Sequence, residues 1–202
     1  MKSLRLEAVS KLVKNGSSIL DVGTDHAYLP FLLIKQKKCK SIIASDISIN
    51  ALNAGKENLK KHNIKGVKFV LSDGLKDIKE KYDTLVICGM GTSTIIHILE
   101  SGKLPSNIII SSNNDLYMLR KYMNDLRYKI VNEIVVYENK KYYDIISYEK
   151  GYEKLSHNKL MYGISNNKNY FKYLYKKEKY IFIHSKKLST LKNMIYLYFK
   201  SI

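Results

Sequence analysis

Ser18-Ile19-Leu20-Asp21-Val22-Gly23-Thr24-Asp25-His26-Ala27-Tyr28-Leu29-Pro30 is the stretch on which the fold turns. A short apolar run, Ser18 to Val22, ends at Gly23 and reads as a buried strand. Ala27 to Lys38 then reads as a helix, with Pro30 tolerable only in its first turn. Downstream the same alternation repeats. Strands are expected at Ser41–Ser45, Gly66–Leu71, Tyr82–Cys88 and Asn107–Ser111. Helices are expected at Ser48–His62, with Ser48 as N-cap, and at Thr92–Ser101 and Leu116–Leu126. Upstream, residues 2–14 read as an amphipathic helix carrying Leu6, Val9 and Val13 on one face and Lys2, Arg5, Lys11 and Lys14 elsewhere, ended by Asn15-Gly16.

Such alternation predicts a mostly parallel α/β sheet with helices on both faces. Tyr128–Tyr137 and Lys141–Tyr148 then pair across Glu138-Asn139-Lys140 as an antiparallel hairpin. A closing antiparallel strand marks the Rossmann-like class I methyltransferase sheet rather than a dinucleotide-binding one. Past Gly151 the character changes: residues 151–202 hold eleven Lys against two Glu, a net of +9, with Tyr and Phe interleaved. Two helices, at 168–183 and 185–201, are expected there. The division is thus 1–150 for the sheet domain and 151–202 for a small basic helical extension.

The whole chain carries a net charge of +17 over 202 residues, and 45% of them are hydrophobic. A sizeable core is therefore available and wholesale disorder is excluded. Self-repulsion on that scale suits a polyanionic partner. An AT-rich genome, which over-uses Lys, Asn, Ile and Tyr codons, accounts for the charge equally well, so charge alone does not choose the partner. Cys39 and Cys88 lack any metal-ligand or disulfide spacing and read as small apolar residues in a reducing compartment, so no metal is expected. No apolar run reaches membrane-spanning length and no signal-peptide core stands at the N-terminus, which predicts a cytoplasmic protein without membrane attachment.

Ligands of open parallel sheets bind beyond the carboxyl ends of the strands. Those ends here are Asp21-Val-Gly-Thr-Asp-His26, Ser45-Asp46, Ser72-Asp73-Gly74, Cys88-Gly-Met-Gly91 and Ser111-Ser-Asn-Asn114. Gly23 permits a tight turn and close approach to a ligand. A dinucleotide fingerprint would place further glycines where Asp25 and Tyr28 stand. A carboxylate there repels pyrophosphate and attracts the amine and sulfonium of S-adenosylmethionine. The competing reading of Asp25 is an N-cap for the following helix. Asp46 stands where an acid grips ribose hydroxyls, and Asp73-Gly74 where one meets an adenine amino group, although most Asp-Gly pairs are only turns. His26 is read more readily as structural than as a proton carrier, and Tyr28 as part helix packing, part pocket wall.

The block Asp21-Val-Gly-Thr-Asp-His-Ala-Tyr-Leu-Pro30, with Cys88-Gly-Met-Gly91, resembles the bacterial TrmK family of tRNA (adenine-22, nitrogen-1) methyltransferases. The hallmarks of that family are Asp-Ile-Gly-Ser-Asp-His-Ala-Tyr-Leu-Pro and Ala-Gly-Met-Gly-Gly. Val22, Thr24, Cys88 and Thr92 are mild departures from them. The Gln-Pro-Asn of the family is Ser111-Ser112-Asn113 here, and its ribose acid, often Glu, is Asp46. The resemblance spans residues 5–150 and extends in kind to the helical, coiled-coil-like tail. It implies S-adenosylmethionine as cofactor and tRNA as partner; a monomer is expected. Taken with the strand ends, it gives a cofactor set of Asp21, Gly23, Thr24, Asp25, His26, Asp46, Ile47, Asp73, Gly74, Gly89, Met90 and Gly91. Asn113, Tyr28 and His26 are the candidates beside the reacting base.

Methyl transfer from a sulfonium needs alignment of the nucleophile more than activation. Nitrogen 1 of adenine has a free lone pair and needs no general base, which fits the absence of an Asn/Asp-Pro-Pro-Tyr/Phe motif after the fourth strand. Asn113 is as readily a cap for the helix at Leu116 as a contact to the base. The basic N-terminal helix and the tail are the surfaces suited to RNA, unless the tail's aromatics simply pack inward. Two other functions remain open on the residues alone: a methyltransferase for a small molecule or protein, and a non-catalytic RNA-binding protein.

Overall fold

The computed structural model describes residues 3–202, so Lys2 of the expected first helix lies outside the described residues. The chain runs α1 (Leu4–Leu12), β1 (Ser17–Val22), α2 (Tyr28–Lys35), β2 (Cys39–Asp46), α3 (Ile49–Lys61), β3 (Val67–Leu71), β4 (Thr84–Met90), α4 (Thr92–Glu100), β5 (Asn107–Ser112), α5 (Leu116–Asp125), β6 (Tyr128–Glu138), β7 (Lys141–Lys150), α6 (His157–Tyr162), α7 (Lys168–Ser185) and α8 (Leu188–Ser201). The strands form one sheet in the order β3-β2-β1-β4-β5-β7-β6. β1 to β5 pair in parallel, whereas β7 runs antiparallel to both β5 and β6. The expected closing hairpin is therefore present, and its second strand lies inside its first.

Side chains alternate between the two faces of a strand, and here both faces are buried. Leu20, Leu85, Ile87, Ile108, Ile110 and Ile146 pack with Leu119 and Met123 of α5 and Ile95 of α4 on one side. Their neighbours Ile19, Val86, Ile109 and Ile145 pack with Val9 of α1 and Leu29 and Leu33 of α2 on the other. Burial of each such aliphatic chain contributes about 1.5–3 kcal/mol. β1 has β2 on one side and β4 on the other, so the order of connection reverses between β1 and β4. Where it reverses, the loops diverge and leave a crevice at the carboxyl edge.

Helix ends depart from the sequence reading in instructive ways. α1 stops at Leu12, with Ser3 capping it through the Leu6 amide, and Gly16 (φ 78°) turns the chain into β1 rather than ending the helix. α2 begins after Ala27, itself left-handed (φ 55°) and without a side-chain cap, so Asp25 does not N-cap it. Asp115, not Asn113, caps α5: its Oδ1 accepts from the Met118 amide at 3.1 Å. β4 starts at Thr84 and continues through Gly89 and Met90. None of the described helices is long and apolar enough to cross a membrane.

Beyond residue 150 the chain adds α6, which the sequence pattern does not predict, and the α7–α8 hairpin, whose turn falls at Lys186 and Lys187. Tyr162, Phe171 and Leu197 form a small core there. Tyr173, Tyr180, Tyr198 and Phe199 remain exposed, so inward packing accounts for only some of the tail's aromatics. A buried charge network fastens this segment to the sheet. Arg120, fully buried, donates through Nη2 to Glu133 Oε1 (2.6 Å) and Asp144 Oδ1 (3.2 Å). Its Nη1 donates to the carbonyls of Leu160 and Met161. Glu133 Oε2 accepts from the amides of Ile164 and Ser165, and Tyr170 Oη donates to Asp144 Oδ2 at 3.1 Å.

Candidate active site

The crevice at the end of β1 holds a cavity of about 410 Å³. Asp21, Gly23, Thr24, Asp25, Tyr28, Asp46, Gly89 and Met90 line it, so eight of the expected residues come together there. The turn after β1 is held against the end of β2: the amides of Gly23 and Thr24 both donate to the Ser45 carbonyl, at 2.9 and 3.0 Å. The next amide, Asp25, donates to Asp46 Oδ2 (3.2 Å), while Asp46 Oδ1 accepts from the Ser48 amide (2.9 Å). Asp46 is thereby aimed by two backbone donors. Gly23 has φ 74°, which an L side chain resists, and the end of Met90 lies across the space where a Cβ would stand.

Asp21 lies beneath this turn at 4% exposure, accepting from Thr24 Oγ1 at 2.8 Å. Burial pushes its carboxyl up to about 7, further raised by Asp46 and partly eased by the Thr24 hydroxyl. A carboxylate poised this way is a site for a cation that restores its charge. Cys88 reaches the same cavity, but burial pushes its thiol up to about 12, so it offers no thiolate nucleophile.

Opposite the turn, β4 carries a β-bulge. The β4–β5 register slips between Cys88 and Met90, and Gly89 (φ 84°) stands out of the ladder with open space where a Cβ would lie. The Gly89 carbonyl accepts from Asn113 Nδ2 at 2.7 Å, and the Asn113 amide donates to the Met90 carbonyl at 2.9 Å. Asn113 is thus clamped beside the bulge, exposed, and free of any capping duty. Its neighbour Asn114 takes the helix role instead, accepting from the Thr92 amide at the start of α4 (2.9 Å). Gly91 is the N-cap of α4, with an ordinary negative φ of −76°.

Other expected residues stand around the cavity without lining it. His26 is exposed, with Nε2 3.7 Å from Asp25 Oδ1 and its ring 5.4 Å from that of Tyr28. Ile47, next to Asp46, is 71% exposed, an apolar side chain open to water at the mouth of the crevice. Asp73 pairs with Lys76, which holds its carboxyl below the usual range. Gly74 turns at φ 65° behind it.

Sequence reasoning missed the contribution of α1. Ser3, Arg5 and Leu6 line the cavity, as do Leu29 and Cys88. The pattern of α1 makes Arg5 a surface cation, yet its Nε is buried without a hydrogen-bond partner and its guanidinium lies 5.0 Å from the Tyr143 ring centre. The only signal was a cation one turn into the helix that precedes the first strand. The cavity therefore presents a buried acid, an aimed acid and a cation in one crevice.

Three comparisons bear on this geometry. The methyltransferase-domain family matches residues 2–146. The tRNA (adenine(22)-N(1))-methyltransferase of Bacillus subtilis (strain 168) is 31% identical over 155 residues, which span 74% of this chain and 65% of that protein. Among solved structures, TrmK of M. capricolum, in complex with S-adenosyl-homocysteine, superposes with a TM-score of 0.82 at 31% identity, over 98% of this chain and 96% of that one. Streptococcus pneumoniae Sp1610, in complex with S-adenosyl-L-methionine, superposes with a TM-score of 0.86 at 27% identity over the whole of both chains.

Proposed function

The chain belongs to the methyltransferase-domain family and, within it, to the TrmK family, and from that membership we propose that it methylates ring nitrogen 1 of an adenine in tRNA, at position 22. The observation that carries the reading is the pairing of two features across one crevice. On one side are Asp21, Gly23 and Asp46; on the other is the Gly89 bulge with Asn113 clamped to it.

The donor set suits S-adenosylmethionine. Its amino-acid end is a zwitterion, and Asp21 and Arg5 offer one charge of each sign at that end of the cavity. Asp46, fixed by the amides of Asp25 and Ser48, presents its remaining lone pairs to ribose hydroxyls. Ile47 offers an apolar surface to the adenine ring. Bound there, S-adenosylmethionine supplies a methyl group already activated by its sulfonium. The remaining work is positional. Gly89 leaves room for a base to approach the backbone, and Asn113, its amide nitrogen given to the Gly89 carbonyl, stands beside that space with its amide oxygen as an acceptor for the approaching base. The alkylated ring is cationic, and carbonyl oxygens nearby favour that charge. No proton has to be removed before attack, so the lack of a buried histidine at the bulge is no obstacle.

Nitrogen 1 is masked in a Watson–Crick pair, so the target base must leave its stack before reaction. Transfer of labelled methyl from S-adenosylmethionine to an unmodified tRNA transcript, mapped by primer-extension stops, tests the reading. A stop at adenine 22 that disappears when that base is changed is the expected result. Methyl uptake by a small acceptor or a protein, with none by tRNA, refutes it.

A further inference from the structure

Between the β6–β7 turn and α7 lies a groove of about 460 Å³. Its floor is aromatic. Tyr137 and Tyr142 are register partners across the hairpin, with ring centres 4.7 Å apart, and Tyr142 lies 5.1 Å from Tyr173 of α7. Tyr142 also rests against Tyr170, whose hydroxyl is tied to Asp144, so the floor is backed by fixed structure. The outer rings are not packed away: Tyr137 is 54% exposed and Tyr173 48%.

The walls are cationic. Lys140 comes from the turn, Lys141 from the first position of β7, and Lys172 and Lys176 from α7. Among the described residues none of the four pairs with a carboxylate. Lys172 and Lys176 sit four apart on one helix face, an arrangement that disfavours the helix unless an anion lies between them.

The groove is joined to the reaction site. Lys141 Nζ donates to the Asn113 carbonyl at 3.2 Å, and Asn113 in turn holds Gly89. Half-exposed, mutually tilted rings flanked by cations without carboxylate partners are the chemistry of a single nucleic-acid strand: rings for a base, ammonium groups for phosphates. We propose that this groove holds the RNA strand adjoining the target adenine, an unpaired base lying on Tyr137 and Tyr173 and its phosphates running along Lys140, Lys172 and Lys176. This rests on the reading of the chain as a tRNA methyltransferase. It adds how the adenine, once out of its stack, is kept within reach of the bulge: its neighbour is gripped one residue away from Asn113.

The test uses the full chain and an unmodified tRNA transcript, with binding followed by fluorescence at several salt concentrations. Tyr173→Ala should weaken tRNA binding about 5- to 100-fold, the range found for one stacked base. Lys172→Gln with Lys176→Gln should lower the slope of log affinity against log salt by roughly 1.5, two phosphate contacts' worth. Lys60→Gln with Lys65→Gln, the same charge change at the end of α3 and in the loop after it, should leave that slope nearly unaltered. All variants should keep the wild-type melting temperature and affinity for S-adenosyl-homocysteine, which reports folding and an intact cofactor cavity. Wild-type binding by Tyr173→Ala, or equal losses in the groove and control pairs, overturns this proposal alone. A wild-type chain that neither binds nor methylates tRNA overturns it together with the function on which it rests.

Discussion

Replacing Asp21 by Asn should make the ligand-free protein more stable and its cofactor binding much weaker. The carboxyl is 4% exposed and its pKa is raised from 3.8 to about 7, chiefly by burial. In the unfolded chain it loses its proton near pH 4; in the folded chain it keeps it to about pH 7. Ionisation therefore works against the fold as pH rises through that window, and above pH 7 the whole cost is present. At about 1.4 kcal/mol for each pH unit of the window, that cost is at most ~4 kcal/mol. An amide keeps an acceptor for the Thr24 hydroxyl but has its own dipole to bury, so about half of that, ~2 kcal/mol, is a reasonable gain. For a chain of this length it corresponds to roughly 4–8 °C in Tm. Scanning calorimetry of the ligand-free proteins from pH 5 to pH 8 should show the two melting curves close together at the acid end and the variant ahead at the basic end. Titration calorimetry should show the opposite for S-adenosylmethionine, with affinity lost at least about thirtyfold, as when one partner of a buried charge pair is removed. Wild-type affinity should itself decline about tenfold per pH unit below pH 7, because the cation must displace a proton from Asp21, and the variant should lack that dependence. A variant no more stable than wild type at pH 8, or equally ahead at pH 5 and pH 8, would sink the argument.

Three further outcomes follow from the geometry. Asp46→Ala removes the acid aimed by the amides of Asp25 and Ser48, and should raise the Kd for S-adenosyl-homocysteine by roughly 10- to 100-fold, a loss of about 1.5–3 kcal/mol for charged hydrogen bonds; unaltered binding would mean that ribose lies elsewhere. Asn113→Ala should lower kcat for tRNA methylation by about 10- to 1000-fold while leaving the affinity for S-adenosyl-homocysteine within a factor of about two, because alanine keeps the backbone bonds to Met90 and Lys141 and loses the side-chain bond to the Gly89 carbonyl; a matching loss of cofactor affinity would count against a role at the base. Arg120→Met strips a cation from between Glu133 and Asp144, and should cost about 3–5 kcal/mol in urea unfolding; a loss below about 1 kcal/mol would show that the tail is held by its apolar contacts alone.

How much of this was legible in the chain depends on distance along it. The parallel sheet was readable because each strand announces itself by a run of β-branched and aliphatic residues, and four of the five parallel strand ends by Asp or Gly. Asp21, Gly23 and Asp46 were readable for the same reason: strand ends are where a parallel sheet exposes its backbone. Local polar clusters were harder. Asn113, Asn114 and Asp115 are equivalent as types, and only the structure distributes them, one to the bulge, one to α4 and one to α5. The bulge itself was invisible, since a glycine in a strand end predicts flexibility but not a register slip. Arg5 and Arg120 were misjudged or missed because their partners lie far away in sequence: Tyr143 for one, Glu133, Asp144 and the Leu160 carbonyl for the other. α6, six residues long, is too short to show a period.

The antiparallel course of β7 links these parts. A seventh strand parallel to the rest would begin at the amino edge of the sheet and finish at the carboxyl edge. Because β7 runs the other way, its first residue, Lys141, stands at the carboxyl edge beside Asn113, and the turn before it projects over the same edge. From that turn Glu138 reaches back to α1, its Oε1 accepting from the Leu4 amide at 2.7 Å and its Oε2 facing the Ser3 hydroxyl, where a carboxylate also suits the positive end of the helix. Ser3 and Arg5 thereby face the cavity, Asn113 faces the bulge, and Tyr137 and Tyr142 flank the groove, all positioned from one reversal of the chain. Glu138→Gln would separate these effects. Loss of its charge weakens the hold on α1, and so should loosen cofactor binding through Arg5, while the tyrosines and lysines of the groove stay in place and tRNA binding without cofactor is preserved. Equal weakening of both would mean that the turn acts as one rigid unit rather than as two separable grips.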